Sequence, residues 1–231
     1  MNNWQIFIRQ FIDREGYKMV LQGFGATLQI AILGLVIGLI LGSILAVFAL
    51  LPKTNVGSEI LSKFTAVYVA IFRGTPMVVQ LLIIHFVFFP AIGVNISSVI
   101  EATIAFGLNS AAYICEIMRG GILSVDKGQM EAGRAIGLGY GKTMIKIIIP
   151  QAIKNVIPTL GNELITLIKE TSVVSFIAVV DLTKAFEAMA NSTYEYIVPY
   201  LVLAATYLIV VLIFTAVIKI VERRLRASDK Q

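Results

Sequence analysis

The stretch MVLQGFGATLQIAILGLVIGLILGSILAVFALLP, from Met19 to Pro52, runs 34 residues without Asp, Glu, Lys or Arg. About 20 predominantly apolar residues suffice to cross the hydrocarbon core of a bilayer. A membrane span is therefore expected here, within about residues 17–51. Inside it Gly34, Gly38 and Gly42 recur every four residues. That spacing flattens one face of a helix so that another helix can approach closely. A neighbouring helix of the same chain is the first reading of this ridge, and a dimer interface the second.

The rest of the chain has the same character. Of its 231 residues 58% are hydrophobic and 14% charged, with a mean hydropathy of +0.86, whereas soluble proteins average roughly 45–50% and about 25%. So little charge cannot clothe a soluble globule, and a soluble enzyme is excluded. The net charge of +5 does not point to nucleic acid, because the basic residues flank apolar runs instead of gathering on one exposed face. Cys115 is the only cysteine and His85 the only histidine, which leaves no intrachain disulfide, cysteine metal site or histidine-based catalysis to expect. Residues 1–18 lack the pattern of a cleaved signal. Trp4, Phe7, Ile8, Phe11 and Ile12 recur there at helical spacing opposite Arg9, Gln10, Asp13 and Arg14, as in an amphipathic helix lying along a membrane surface.

Four further apolar segments follow, at about 57–89, 98–120, 144–169 and 196–220. The first of them is interrupted by Arg73-Gly74-Thr75-Pro76 and reads as one broken span. The expected fold is an all-α membrane protein of five spans, forming one transmembrane domain over 17–223 with a tail at 224–231. Lys and Arg concentrate in cytoplasmic loops. Arg119, Lys127, Arg134, Lys142, Lys146 and Lys154 put the segment between the third and fourth spans inside, and Lys219, Arg223, Arg224, Arg226 and Lys230 do the same for the C-terminus. Residues 90–100 carry no charge, and the stretch from Glu170 to Glu195 holds four acids against Lys184 alone, so both belong outside. Five spans then put the N-terminus outside, where Arg9, Arg14 and Lys18 fit the rule poorly. Six spans, with a division at Arg73 to Pro76, would move the N-terminus inside but break the agreement at the two later loops.

The inner segment 121–143 contains Glu131-Ala132-Gly133-Arg134-Ala135-Ile136-Gly137, followed by Ile147, Ile149 and Pro150. It resembles the EAA loop of ABC-importer permeases: Glu-Ala-Ala, three residues, Gly, nine residues, Ile-x-Leu-Pro. The spacing matches throughout, with Gly133 in place of the second Ala and Ile149 in place of Leu. Phe72-Arg73-Gly74-Thr75-Pro76, Ala112-Tyr113-Ile114-Cys115-Glu116, Arg119-Gly120-Gly121-Ile122, Gly128-Gln129-Met130-Glu131 and Lys169-Glu170-Thr171-Ser172 narrow the resemblance to permeases for polar and basic amino acids, of the histidine, glutamine and arginine type. The resemblance implies the MetI-like architecture of type I importers and a cell-membrane location in a prokaryote. It also implies a second permease subunit, identical or homologous, two ABC ATPase subunits and an extracytoplasmic amino-acid-binding protein.

A loop that passes force to a soluble motor needs a short helix, a small or apolar face that fits a cleft, and a flexible exit. Ala132, Ala135 and Ile136 supply the face; Gly137, Gly139 and Gly141 read as the exit. The resemblance makes Glu131, Ala132, Gly133, Ala135, Ile136 and Gly137 the ATPase-coupling residues. Gly137-Leu138-Gly139-Tyr140-Gly141-Lys142-Thr143 ends like a phosphate-binding loop, but the first glycine of that motif is Ile136 here and no strand precedes it. No ATP site or other cofactor is expected in this chain; ATP belongs to a separate partner.

Charges at membrane depth are costly and mark cavities or partners. Arg73, Glu101, Glu116, Glu163 and Lys169 form that set, and Glu116 with Arg119 has ion-pair spacing on a helix. Thr75 could cap and Pro76 open a half-helix whose free amides face an anion, which places a substrate carboxylate near Thr75, Met77 and Gln80; a bend made only for packing explains Gly74 and Pro76 equally well. Asn162 and Glu163, beside Gly161 and Pro158, form the best cavity candidate. Glu101 adds a second acid, favouring a cationic side chain such as that of arginine, lysine or histidine. Glu163 could instead hold an α-ammonium group, or pair with Lys169 or Lys154. His85 and Tyr113 read as packing residues. A proton-coupled secondary transporter is the alternative function.

Overall fold

The computed structural model describes residues 2–52 and 55–227, with side chains described through Arg224. Lys53 and Lys230, and all but the first residues of the expected tail, lie outside the described residues. Helix α1 (Asn3–Ile8) continues through a widened turn at Arg9–Asp13, and a left-handed Glu15 (φ 55°) reverses the chain into α2 (Gly16–Leu50). Then come α3 (Val56–Gly74), α4 (Met77–Ile83, prolonged to Ala91) and α5 (Ser98–Leu123). The segment expected inside, 121–143, holds α6 (Lys127–Ala135) and α7 (Tyr140–Thr143). After a wide turn at Met144–Ile148, α8 (Ile149–Glu170) passes through a tight turn at Thr171–Ile177 to α9 (Leu182–Thr193) and α10 (Ile197–Ala227). No strand occurs among the described residues.

Gly16–Leu50, Ser98–Leu123 and Ile197–Arg224 are each long and apolar enough to cross a bilayer, and α3 with α4 makes a fourth if the bent pair is one span. The helix expected at 144–169 is present, but Ile149–Glu170 is not among these three; Gln151, Lys154, Asn155, Asn162, Glu163 and Lys169 dilute its apolar content. The interruption at Thr75-Pro76 is sharper than a break in a straight helix, because the axis turns by 106°. Pro76 has no amide hydrogen to continue the ladder and forces its predecessor out of the helical region, and Thr75 is accordingly extended (φ −121°, ψ 147°).

The glycine ridge is an intrachain contact. Helix α2 packs along α5, and a methyl group added at Gly38 would lie 2.8 Å from Ser110 Oγ, while one at Gly42 would lie 2.7 Å from the Ala111 carbonyl. Around this seam Ile30, Ala31, Leu81, Ala105, Phe106, Leu167 and Ile168 form the core.

The apolar stripe expected on the N-terminal helix is divided. Phe7 is buried and Phe11 half-buried against Leu182, Phe186 and Met189 of α9 and residues of α10; Trp4, Ile8 and Ile12 face outward. Two of the acids expected in an outer loop serve as helix caps. Asp181 is fully buried and accepts from the amides of Thr183 (3.1 Å) and Lys184 (2.8 Å) at the start of α9, and burial pushes its carboxyl above the ordinary aspartate range. Glu195 accepts from the amides of Ile197 (3.1 Å) and Val198 (3.3 Å) at the start of α10.

Candidate functional site

The break between α3 and α4 strips hydrogen-bond partners from the last carbonyls of α3, and buried backbone groups must find others. Gln80, buried on α4, supplies them. Its amide nitrogen donates to the carbonyls of Phe72 (2.8 Å) and Thr75 (3.0 Å) and contacts the Thr75 hydroxyl (2.9 Å). Asn109 of α5 donates to Gln80 Oε1 (2.9 Å) and to Phe72 O (3.3 Å). The side-chain amide of Gln80, expected near a substrate carboxylate, is thus engaged in closing the break. Thr75 does not cap α4: Pro76 occupies the cap position, and the Thr75 hydroxyl donates back to Ile71 O (2.8 Å). Met77 opens α4 and packs half-buried against the core.

The acids expected at membrane depth divide into paired and buried ones. Glu101, 6% exposed, bonds His85 of the prolonged α4. His85 therefore ties α4 to α5 instead of merely packing, a role hidden in the sequence because the two residues stand on different helices. Glu116 accepts from Arg119 Nε (2.9 Å) and Nη2 (2.8 Å), the ion pair their spacing predicts, and Arg73 approaches the same carboxylate at 3.6 Å. The Arg73 guanidinium also lies 5.4 Å from the centre of the Tyr113 ring, within cation–π range.

Glu163 is buried and accepts from the Ser110 hydroxyl at 2.9 Å. Lys169 faces outward and does not bond it among the described residues. Asn162, next along α8, faces outward, since consecutive residues on a helix point about 100° apart. Asn109 and Ser110, neighbours on α5, consequently join the break at Gln80 to the carboxylate at Glu163. The signal for both was available in the sequence as a polar pair inside an otherwise apolar span.

Between α5 and α8, the Asp126 carboxylate caps α6 through the Gly128 amide (2.7 Å). Glu131, Ala132, Ala135 and Ile136 are exposed, Ile136 at 76%. Gly133 turns inward, where an added methyl would lie 2.5 Å from Thr143 Cγ2. That contact explains why glycine replaces the alanine of the resembled motif. Gly137 is left-handed (φ +86°). The Leu138 amide donates to Gly133 O (3.1 Å) and the Gly137 amide to Arg134 O (3.0 Å), a paired C-terminal cap that glycine alone accepts without strain. Gly137 therefore fixes the end of α6 and is not a flexible exit. Gly139 begins α7, its carbonyl accepting from the Thr143 amide (3.0 Å). Among the described residues no group of three metal-ligating side chains gathers.

Known proteins resemble this chain along most of its length. The arginine transport system permease protein ArtQ of Bacillus subtilis is 41% identical over 210 residues, 91% of this chain and 94% of the relative. A glutamine transport system permease protein, GlnP of Rickettsia bellii, is 39% identical over 209 residues, 90% of this chain and 94% of its own length. A chain from the crystal structure of an amino acid ABC transporter with histidines superposes with a TM-score of 0.84 at 36% identity, covering 93% of this chain and 98% of that one. A chain of the inward-facing MetNI methionine ABC transporter shares the fold at 20% identity, with a TM-score of 0.70 over 94% of this chain and 97% of its own. The signature of binding-protein-dependent transport system inner membrane components matches residues 34–227, and the chain belongs to that family of permease subunits, which are not themselves enzymes.

Proposed function

We propose that this chain is the permease subunit of an ATP-driven importer of polar amino acids, with basic ones preferred. Five spans, with α8 as the fourth and the bent α3–α4 as the second, carry the N-terminus outside and the C-terminus into the cytoplasm. Two permease subunits, identical or homologous, enclose the path; two ATPase subunits dock from the cytoplasm, and an extracytoplasmic binding protein delivers the amino acid. The observation that carries the coupling role is the face of α6. Ala132, Ala135 and Ile136 project outward while Gly133 is pressed against Thr143, so a push on the exposed face passes into the turn that leads to α8.

The substrate proposal rests on Glu163, a buried carboxylate with one hydroxyl donor, together with Asn162 and the region of Thr75, Met77, Gln80 and Glu101. The relatives named for arginine and glutamine transport support the amino-acid class. The test is co-purification with the ATPase of the same operon, reconstitution with the cognate binding protein, and uptake and ATP hydrolysis across an amino-acid panel. Uptake that requires ATP and is stimulated by arginine, lysine or histidine supports the proposal. Uptake driven by a proton gradient without ATP would replace it with a secondary transporter.

A further inference from the structure

A cavity of about 420 Å³ opens where the N-terminal helix, the first turn of α2 and the end of α9 meet. Gln10, Arg14, Glu15, Lys18, Gln22 and Ser192 are among its lining residues. Gln10 is 9% exposed, yet its side-chain amide makes no hydrogen bond among the described residues. No side-chain nitrogen or oxygen is both buried and unpartnered among the described residues, so the polar atoms of Gln10 open to the cavity, where a ligand or water can bond them. Arg14 has no acidic partner among the described residues, and Lys18 is held only by exposed Glu15 at 2.6 Å. With Glu15, also in the lining, offsetting Lys18, the cavity keeps a net positive charge from the Arg14 guanidinium, and this with the ammonium and amide donors matches a phosphate group, which accepts several charge-assisted hydrogen bonds. Around this cavity the surface turns apolar: Ile8, Ile12, Tyr17, Met19 and Leu21 are exposed. We infer that the cavity binds the phosphate headgroup of an anionic lipid, whose acyl chains lie along this apolar rim. The site is separate from Glu163 and from α6, and does not depend on which amino acid is carried.

The probe is phosphatidylglycerol titrated onto the detergent-purified permease–ATPase complex and read by native mass spectrometry, with phosphatidylcholine and inorganic phosphate in parallel. One retained phosphatidylglycerol per permease chain is expected, weakened about tenfold by Arg14→Gln combined with Lys18→Gln. Arg9→Gln, which alters an exposed residue away from the cavity lining, should leave it unchanged. Competition by millimolar phosphate supports recognition of the headgroup. Equal retention of phosphatidylcholine, equal loss in the Arg9 variant, or binding of phosphate without phosphatidylglycerol would overturn the inference. Arg14 and Lys18 are exposed, so the variant complex should assemble, and its unchanged elution confirms that.

Discussion

Gly133 on α6 faces Thr143 so closely that a single added methyl group would lie 2.5 Å from Cγ2 and 3.0 Å from Oγ1 of the threonine. Gly133→Ala should therefore overpack the contact between α6 and α7 and cost about 1–3 kcal/mol of stability. Thr143→Ser removes the nearer atom and should recover part of that loss in the double variant. A double-mutant cycle on thermal unfolding of the complex measures the coupling; strictly additive effects would contradict the contact.

Gly137→Ala places a side chain in left-handed backbone and should loosen the end of α6 by about 1–2 kcal/mol. Gly139→Ala and Gly141→Ala meet open space at ordinary backbone angles and should be nearly silent. Amide exchange across residues 131–138, with substrate-stimulated ATPase as the functional readout, separates the three.

Removing either partner of the His85–Glu101 pair strands a polar group between α4 and α5. His85→Ala or Glu101→Ala should each cost about 1–3 kcal/mol. Replacing both by leucine should cost less than the sum of the single changes, as read from melting temperatures of the purified complex.

Glu163→Gln keeps the size of the side chain and an acceptor for Ser110 but removes the charge. If Glu163 recognises a cationic side chain, uptake of arginine or lysine should fall by about tenfold or more while that of glutamine changes little. Equal loss for both classes assigns Glu163 to the α-ammonium group or to structure.

Asp181 gives a pH signature. Its carboxyl is raised from an ordinary value of 3.8, with burial as the leading cause. The folded protein therefore holds the proton where the unfolded chain has lost it, and this contribution to stability is full below pH 3.8 and declines as pH rises through the folded value. Asp181→Asn keeps a cap acceptor without the titration. The stability of Asp181→Asn relative to the parent should improve upward from pH 3.8 until the buried carboxyl is fully ionised, then level off. A constant difference across that window would show that burial does not control the group.

The long apolar helices were legible because bilayer solvation acts on composition, as in the uncharged run from Met19 to Pro52 that lies almost wholly in α2. The glycine ridge was legible as a close-approach surface, and its partner, α5, appears only in three dimensions. The roles of Gln80 and His85 were not legible, since each depends on a residue of another helix, Asn109 and Glu101. Gly133 showed as a departure from a motif, but its reason lay ten residues downstream at Thr143.

If Glu163 meets the cargo, the α2–α5 seam also bears on selectivity. The hydroxyl that meets Glu163 belongs to Ser110, and Ser110 is the residue against which Gly38 packs, with room for no methyl group. A residue on the first long helix, with no side chain of its own to offer, thus fixes how closely α2 approaches the serine that meets the acid. Gly38→Ala should behave as a remote specificity change, altering which cargo is preferred before it lowers the amount of folded protein. Natural variation in cargo among such permeases would accordingly be sought in the glycines of α2 as well as in the polar residues of α8.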